Sequence, residues 1–174
     1  MFFAALGIHI LAGLAGVVAG VLATTAPKRP GRHPRAGAVY LYAISGVFVT
    51  ATVMAAMRWH QDRHLFAIAC IAFALASFGF WARRRRPGHW IAWHGSAMAG
   101  SYIALFTGFY VDNGPRLPLW DRLPHLAYWF IPAAVGIPLT WWALKRNRAA
   151  ATSRNAAGGA TVNSPTAGTR QPPP

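Results

Sequence analysis

Apolar residues gather along this chain in five blocks, at residues 2–23, 38–57, 65–82, 90–111 and 125–144, parted by short polar or basic segments. Each block is about 18 to 22 residues long, and a helix rising about 1.5 Å per residue would carry it across a hydrocarbon core of about 30 Å. The pattern predicts an all-α integral membrane protein. Because the connections are short, consecutive helices must be antiparallel neighbours, giving a five-helix up-down transmembrane bundle that forms one domain over residues 1–148. From residue 149 to 174 the chain turns to Ala, Gly, Ser, Thr, Asn and Pro and ends in three prolines. That segment lacks the apolar surface that would offset its ordering entropy, so a disordered tail is expected there. In the fifth block Pro132, Gly136 and Pro138 remove or loosen backbone hydrogen bonds and predict a kink.

Charge gives the predicted bundle an orientation. Of the 17 Lys and Arg residues, thirteen fall in the first, third and last polar segments: Lys28, Arg29, Arg32 and Arg35; Arg83 to Arg86; and Lys145, Arg146, Arg148, Arg154 and Arg170. By the positive-inside rule these segments are cytoplasmic, the N-terminus lies outside and the C-terminal tail lies inside the cytoplasmic membrane of a bacterial cell. The three acids, Asp62, Asp112 and Asp121, all fall in the two outer loops. The eight tryptophans divide in the same way, with Trp59, Trp120 and Trp129 near the outer boundary and Trp81, Trp90, Trp93, Trp141 and Trp142 near the inner one, an aromatic belt at each interface. The first block has no basic n-region and exceeds a usual signal-peptide core, so it is expected to remain as a span.

A net charge of +14 in a soluble chain would point to nucleic acid. Here the basic residues are dispersed over loops on one membrane face, so topology explains them, and the expected partners are the bilayer and anionic lipid headgroups on the cytoplasmic face. The run Arg83 to Arg86 reads as a stop signal for the third span. Cys70, the only cysteine, excludes a disulfide within the chain. There is no Glu, no nucleophile motif, no Gly-rich phosphate loop and no carboxylate pair, which argues against hydrolytic chemistry.

Polar groups inside the spans are the candidate functional residues, because ionisable side chains in a bilayer are costly and turn inward. His9 sits about 10 Å below the outer boundary and His94 about 6 Å above the inner one, leaving about 14 Å between their depths. They cannot share one metal ion. On the first helix His9, Gly13, Gly16 and Gly20 form one stripe, which predicts close packing on a neighbour. On the fourth, His94, Ser101 and Tyr102 make a polar track facing the interior. The histidines are expected to pack, hydrogen-bond across helices or relay protons. The alternative is a b-type haem or pair of haems, a membrane electron-transfer protein with ligands drawn from His9, His94, His33 and His125. His60 and His64 would lie on one face if the third helix begins early, a two-ligand metal clip that falls short of a full coordination set.

Two segments carry a resemblance. One is His33-Pro-Arg-Ala-Gly-Ala-Val-Tyr40, preceded by Gly-Ile-His9-Ile-Leu-Ala-Gly; the other runs from His94 through Ser101-Tyr102-Ile to Tyr110-Val-Asp-Asn-Gly-Pro115, followed by Leu-Pro-Leu-Trp120. Over residues 6–144 the chain resembles an uncharacterised prokaryotic family of predicted membrane proteins, domain of unknown function 2306. Pro34 stands where that family usually has Arg. The resemblance implies a multi-helix membrane protein without an established activity.

Overall fold

The computed structural model describes residues 1–27, 31–118 and 120–162, with side chains through residue 146. Among the described residues all regular structure is helical: α1 (Phe2–Thr25), α2 (Arg32–Met57), α3 (Trp59–Arg85), α4 (Trp90–Asn113) and α5 (His125–Val162), with one 3-10 turn at Gly114–Arg116 between α4 and α5. Four of these are long and apolar enough to cross a membrane: α1, α2, α3 and the His125–Arg146 part of α5. The fourth helix has the length but not the apolarity, because Trp90, Trp93, His94, Ser96, Ser101, Tyr102 and Thr107 dilute it.

The apolar blocks fall short of the helix ends. Helix α2 begins six residues before its block, at Arg32, and α3 six before its own, at Trp59. Hydropathy reports what lipid tolerates, whereas a helix continues until a breaker ends it. Arg58 alone joins α2 to α3, its Nε donating to Gln61 Oε1 at 2.6 Å and its guanidinium lying over the Phe2 ring at 4.9 Å. Arg86, in the left-handed conformation at φ 48°, closes α3 ahead of Pro87. At the other end of the chain α5 continues to Val162, past the start of the tail expected to be disordered at 149. Its alanines at 149–151, 156, 157 and 160 are the strongest helix formers; residues 163–174 lie outside the described part.

Residues Met1–Thr140 form one compact unit. Within it α1 packs on α2, α2 on α3 and α3 on α4, and a smaller contact of α4 with α1 closes a four-helix ring. Its centre is Ala19, Tyr40, Ile44 and Ala76, with Leu41, Phe73, Met98, Tyr102 and Leu105 around them. Close approach depends on small residues. Gly16 faces Ala43 and Leu105, Gly46 faces Ala12, and the α3 stripe Ala69, Ala72, Ala76, Gly79 and Ala82 is buried, with Gly79 beneath Met98 and Ala97. The stripe expected on α1 packs at Gly16 and Gly20 but not at Gly13, where an added Cβ would meet nothing within 4 Å.

The first part of α5 meets α4 and α3 outside the ring. Tyr128 is buried with Ile68 and Val111, its ring lies on Gly114, and its hydroxyl donates to Trp120 O at 2.7 Å; Trp120 and Trp129 pack around it. Large apolar side chains elsewhere point outward, among them Leu11, Leu14 and Leu22 of α1 and Leu126, Phe130 and Ile137 of α5, each more than half exposed. A second compact unit begins at Trp141. In it Lys145 Nζ lies 4.6 Å from the Trp141 ring centre and the Arg146 guanidinium 5.0 Å from that of Trp142.

Candidate functional site

Inside the ring, polar side chains fall into three layers. The central one is the best enclosed. Tyr40 of α2 and Ser101 of α4 are 1% and 0% exposed, and their oxygens lie 2.8 Å apart. Ser101 Oγ also donates to Ala72 O of α3 at 2.7 Å. A serine has one proton to give, so the Tyr40 hydroxyl must be the donor to Ser101, and the chain runs in one direction from α2 through α4 to α3. The next residue, Tyr102, donates in the opposite sense, to Val17 O of α1 at 3.0 Å. Its ring lies directly over Gly20, and the Tyr40 and Tyr102 rings are 6.1 Å apart. Two consecutive residues of α4 thus tie it to all three other helices of the ring.

Nearer the end that carries the aspartates, His9 Nδ1 and Thr50 Oγ1 lie 2.9 Å apart. Thr50 Oγ1 also lies 2.7 Å from Gly46 O of its own helix, and the His9–Thr50 bond joins α1 to α2. At the opposite, basic end, His94 Nδ1 donates to Gly79 O of α3 at 2.8 Å and His33 Nδ1 donates to Ala23 O of α1 at 2.8 Å. Carbonyls only accept, which fixes the proton of both rings on Nδ1. These two imidazoles meet edge to face, centroids 6.3 Å apart at 88°.

Of the residues singled out for a cofactor, His33 and His94 are therefore brought together. His9 faces Thr50, and His125 stands against Tyr128, 5.9 Å between ring centres. The track His94, Ser101, Tyr102 is half-buried to buried along its length. The early start of α3 puts His60 and His64 four residues apart on one exposed face, with His64 6.2 Å from the Trp129 ring. No group of three or more His, Cys, Asp or Glu able to hold a metal occurs among the described residues.

Chemically, each of these hydrogen-bond chains ends on a backbone carbonyl. Along α2 the layers at His33, Tyr40 and Thr50 are separated by about 10 and 15 Å, too far for a direct proton transfer from one to the next. Among the described residues every buried side-chain nitrogen and oxygen has a partner. A cavity of about 350 Å³ lies against α3 and α4, lined by Leu75, Phe78, Trp93, Ser96 and Ala97, and reaches none of the histidines.

The partners contributed by backbone were not readable from residue types. Ala72, Gly79, Val17 and Ala23 enter the layers through carbonyl oxygens, and the only signal was the spacing of small residues on α3. Tyr40 stood in the first motif of the family resemblance but not among the expected site residues.

Compared with family models, curated proteins and solved structures, the chain matches none.

Proposed function

We propose that this is a multi-pass membrane protein of five spans, α1 to α4 and the first part of α5, in which the interior histidines, tyrosines and serine act as ties between helices. The observation that carries this reading is the central layer, where the donor sequence Tyr40, Ser101, Ala72 O ends on a backbone carbonyl and is wholly buried. Inside a bilayer such groups must be satisfied within the protein, and polar ties of this kind let a weakly apolar helix such as α4 remain among its neighbours. The apolar side chains exposed on α1 and α5 support contact with lipid. The two segments that carry the resemblance to the family of unknown function 2306 meet in the bundle: His33 lies beside His94 and Tyr40 bonds Ser101.

The orientation follows from the charges, with the Arg83 to Arg86 turn and residue 150 in the cytoplasm and the segment from Asp112 to Asp121 outside. Reporter fusions at Ala150, Arg84 and Asp121 test it. Residues 84 and 121 on the same face would overturn the five-span count.

A second reading is favoured by one observation. Helices α2 and α4 bring His33 and His94 to 6.3 Å, an arrangement from which two imidazoles could take opposite sides of a haem iron. An absorption spectrum of protein produced with sufficient haem, in oxidised and reduced states, decides between them. A Soret band lost in both His33→Leu and His94→Leu would replace the structural reading, and no band would leave it standing.

A further inference from the structure

A groove of about 830 Å³ runs along the outer side of the α1–α2 pair. Its α1 wall is Leu11, Leu14, Ala15, Val18, Ala19 and Leu22, spaced as one stripe of a helix. Its α2 wall is Arg32, Arg35, Ala36 and Val39, again one stripe, so two guanidinium groups stand at one end of an apolar channel. From Leu11 to Leu22 a helix rises about 16 Å, about half of a 30 Å hydrocarbon core and thus the depth of one leaflet. Both arginines are exposed, and the chain offers them no carboxylate side chain: its three acids, Asp62, Asp112 and Asp121, lie at the other end of the helices. Among the described residues no carboxylate stands near them, so an anion from the surroundings can supply their counter-charge.

We propose that this groove holds one anionic phospholipid, an acyl chain lying along Leu14, Val18 and Val39 and its phosphate between Arg32 and Arg35. The inference rests on the membrane reading above, and it deepens it by giving one leaflet lipid a defined seat. The apolar wall alone would accept any lipid tail. The paired arginines select charge, since a phosphate accepts directional hydrogen bonds from a guanidinium as well as its field. At about five-fold per near-surface arginine, the pair favours an anionic over a zwitterionic headgroup by about 25-fold.

The test uses the full chain in a neutral detergent, with phosphatidylglycerol, phosphatidylcholine or inorganic phosphate added at matched concentration. Lipid binding is read by native mass spectrometry and by the shift in melting temperature. Phosphatidylglycerol should bind with one-to-one stoichiometry and raise the melting temperature, and the other two should not. Arg32→Gln with Arg35→Gln should weaken that binding about 25-fold, whereas Arg84→Gln with Arg85→Gln, at the same end but away from the groove, should leave it unchanged. Val18→Trp, which fills the channel and keeps both charges, should also reduce binding. Equal binding of phosphatidylcholine, equal losses in the two arginine pairs, an effect of inorganic phosphate alone, or indifference to Val18→Trp would each overturn the proposal. Topology fusions address a different question, so a failed lipid site with five correctly oriented spans removes this inference and leaves the membrane reading intact.

Discussion

Replacing Gly20 by alanine tests the packing of the bundle more sharply than removing any polar group. A Cβ at this position would clash with the Tyr102 ring, meeting its Cε2, Cδ2 and Cζ atoms well inside van der Waals contact. The ring cannot slide away freely, because its hydroxyl is bound to Val17 O at 3.0 Å, one turn earlier on the same helix as Gly20, and the Phe106 ring stands nearly perpendicular to it with centroids 5.0 Å apart. Clearing the new methyl to ordinary contact requires a shift of about 1 Å or more, which breaks that hydrogen bond. Overpacking costs about 1 to 3 kcal/mol, and the lost bond adds about 0.6 kcal/mol, the average between membrane helices. Against this, alanine gains at most about 1 kcal/mol over glycine in helix propensity. The balance is a loss of about 1 to 3 kcal/mol, equivalent to about 2 to 4 °C of melting temperature per kcal/mol for a chain of this size.

The control is internal. Gly13→Ala makes the same chemical change on the same helix, seven residues away, where the added Cβ meets nothing within 4 Å. It should be neutral or slightly stabilising. Melting of the purified protein in detergent measures both, and a double-mutant cycle with Tyr102→Ala assigns the cause: Gly20→Ala should cost nothing once the ring is gone. Equal melting of the two alanine variants, or a Gly20→Ala loss that survives in the Tyr102→Ala background, would refute the account of how α4 approaches α1.

Two further outcomes follow from the direction of the hydrogen bonds. Ser101→Ala leaves the Tyr40 hydroxyl buried without its acceptor and should cost about 1 to 3 kcal/mol, whereas Tyr40→Phe leaves Ser101 bound to Ala72 O and should cost about 0.6 kcal/mol; the reverse order in denaturation would mean that the donor sequence is misassigned. His94→Leu removes the bond to Gly79 O and should lower the melting temperature by a few degrees, since one such tie is worth about 0.6 kcal/mol and at most about 1.7. His89→Leu, at an exposed turn, should change nothing, and equal small effects at both positions would show that His94 does not serve as a tie.

The helices were legible in the chain because each contains a mostly apolar run of about 20 residues, long enough to satisfy its own hydrogen bonds and of the length a bilayer would require. Their ends were not, since His33, Arg35 and the segment from His60 to His64 are polar yet remain helical, and hydropathy cannot separate a polar loop from a polar turn of helix. The track on α4 could be read from spacing alone, because three polar residues at i, i+7 and i+8 on an apolar helix have one energetically acceptable side to face. What they bind could not. Their acceptors on α3 and α1 are carbonyl oxygens of Ala72, Gly79 and Val17, and a carbonyl carries no mark of its residue. The connection lies in the small residues. A side chain as short as that of serine reaches a carbonyl on the next helix only where the facing residues let the backbones approach. His94 and Ser101, seven apart on α4, bond Gly79 and Ala72, seven apart on α3, and both acceptors belong to the buried Ala69, Ala72, Ala76, Gly79, Ala82 stripe. A polar track on one membrane helix and a small-residue stripe of the same period on its antiparallel neighbour are thus two halves of one contact. Reading them together places α3 against α4 in register, where each alone gives only a face.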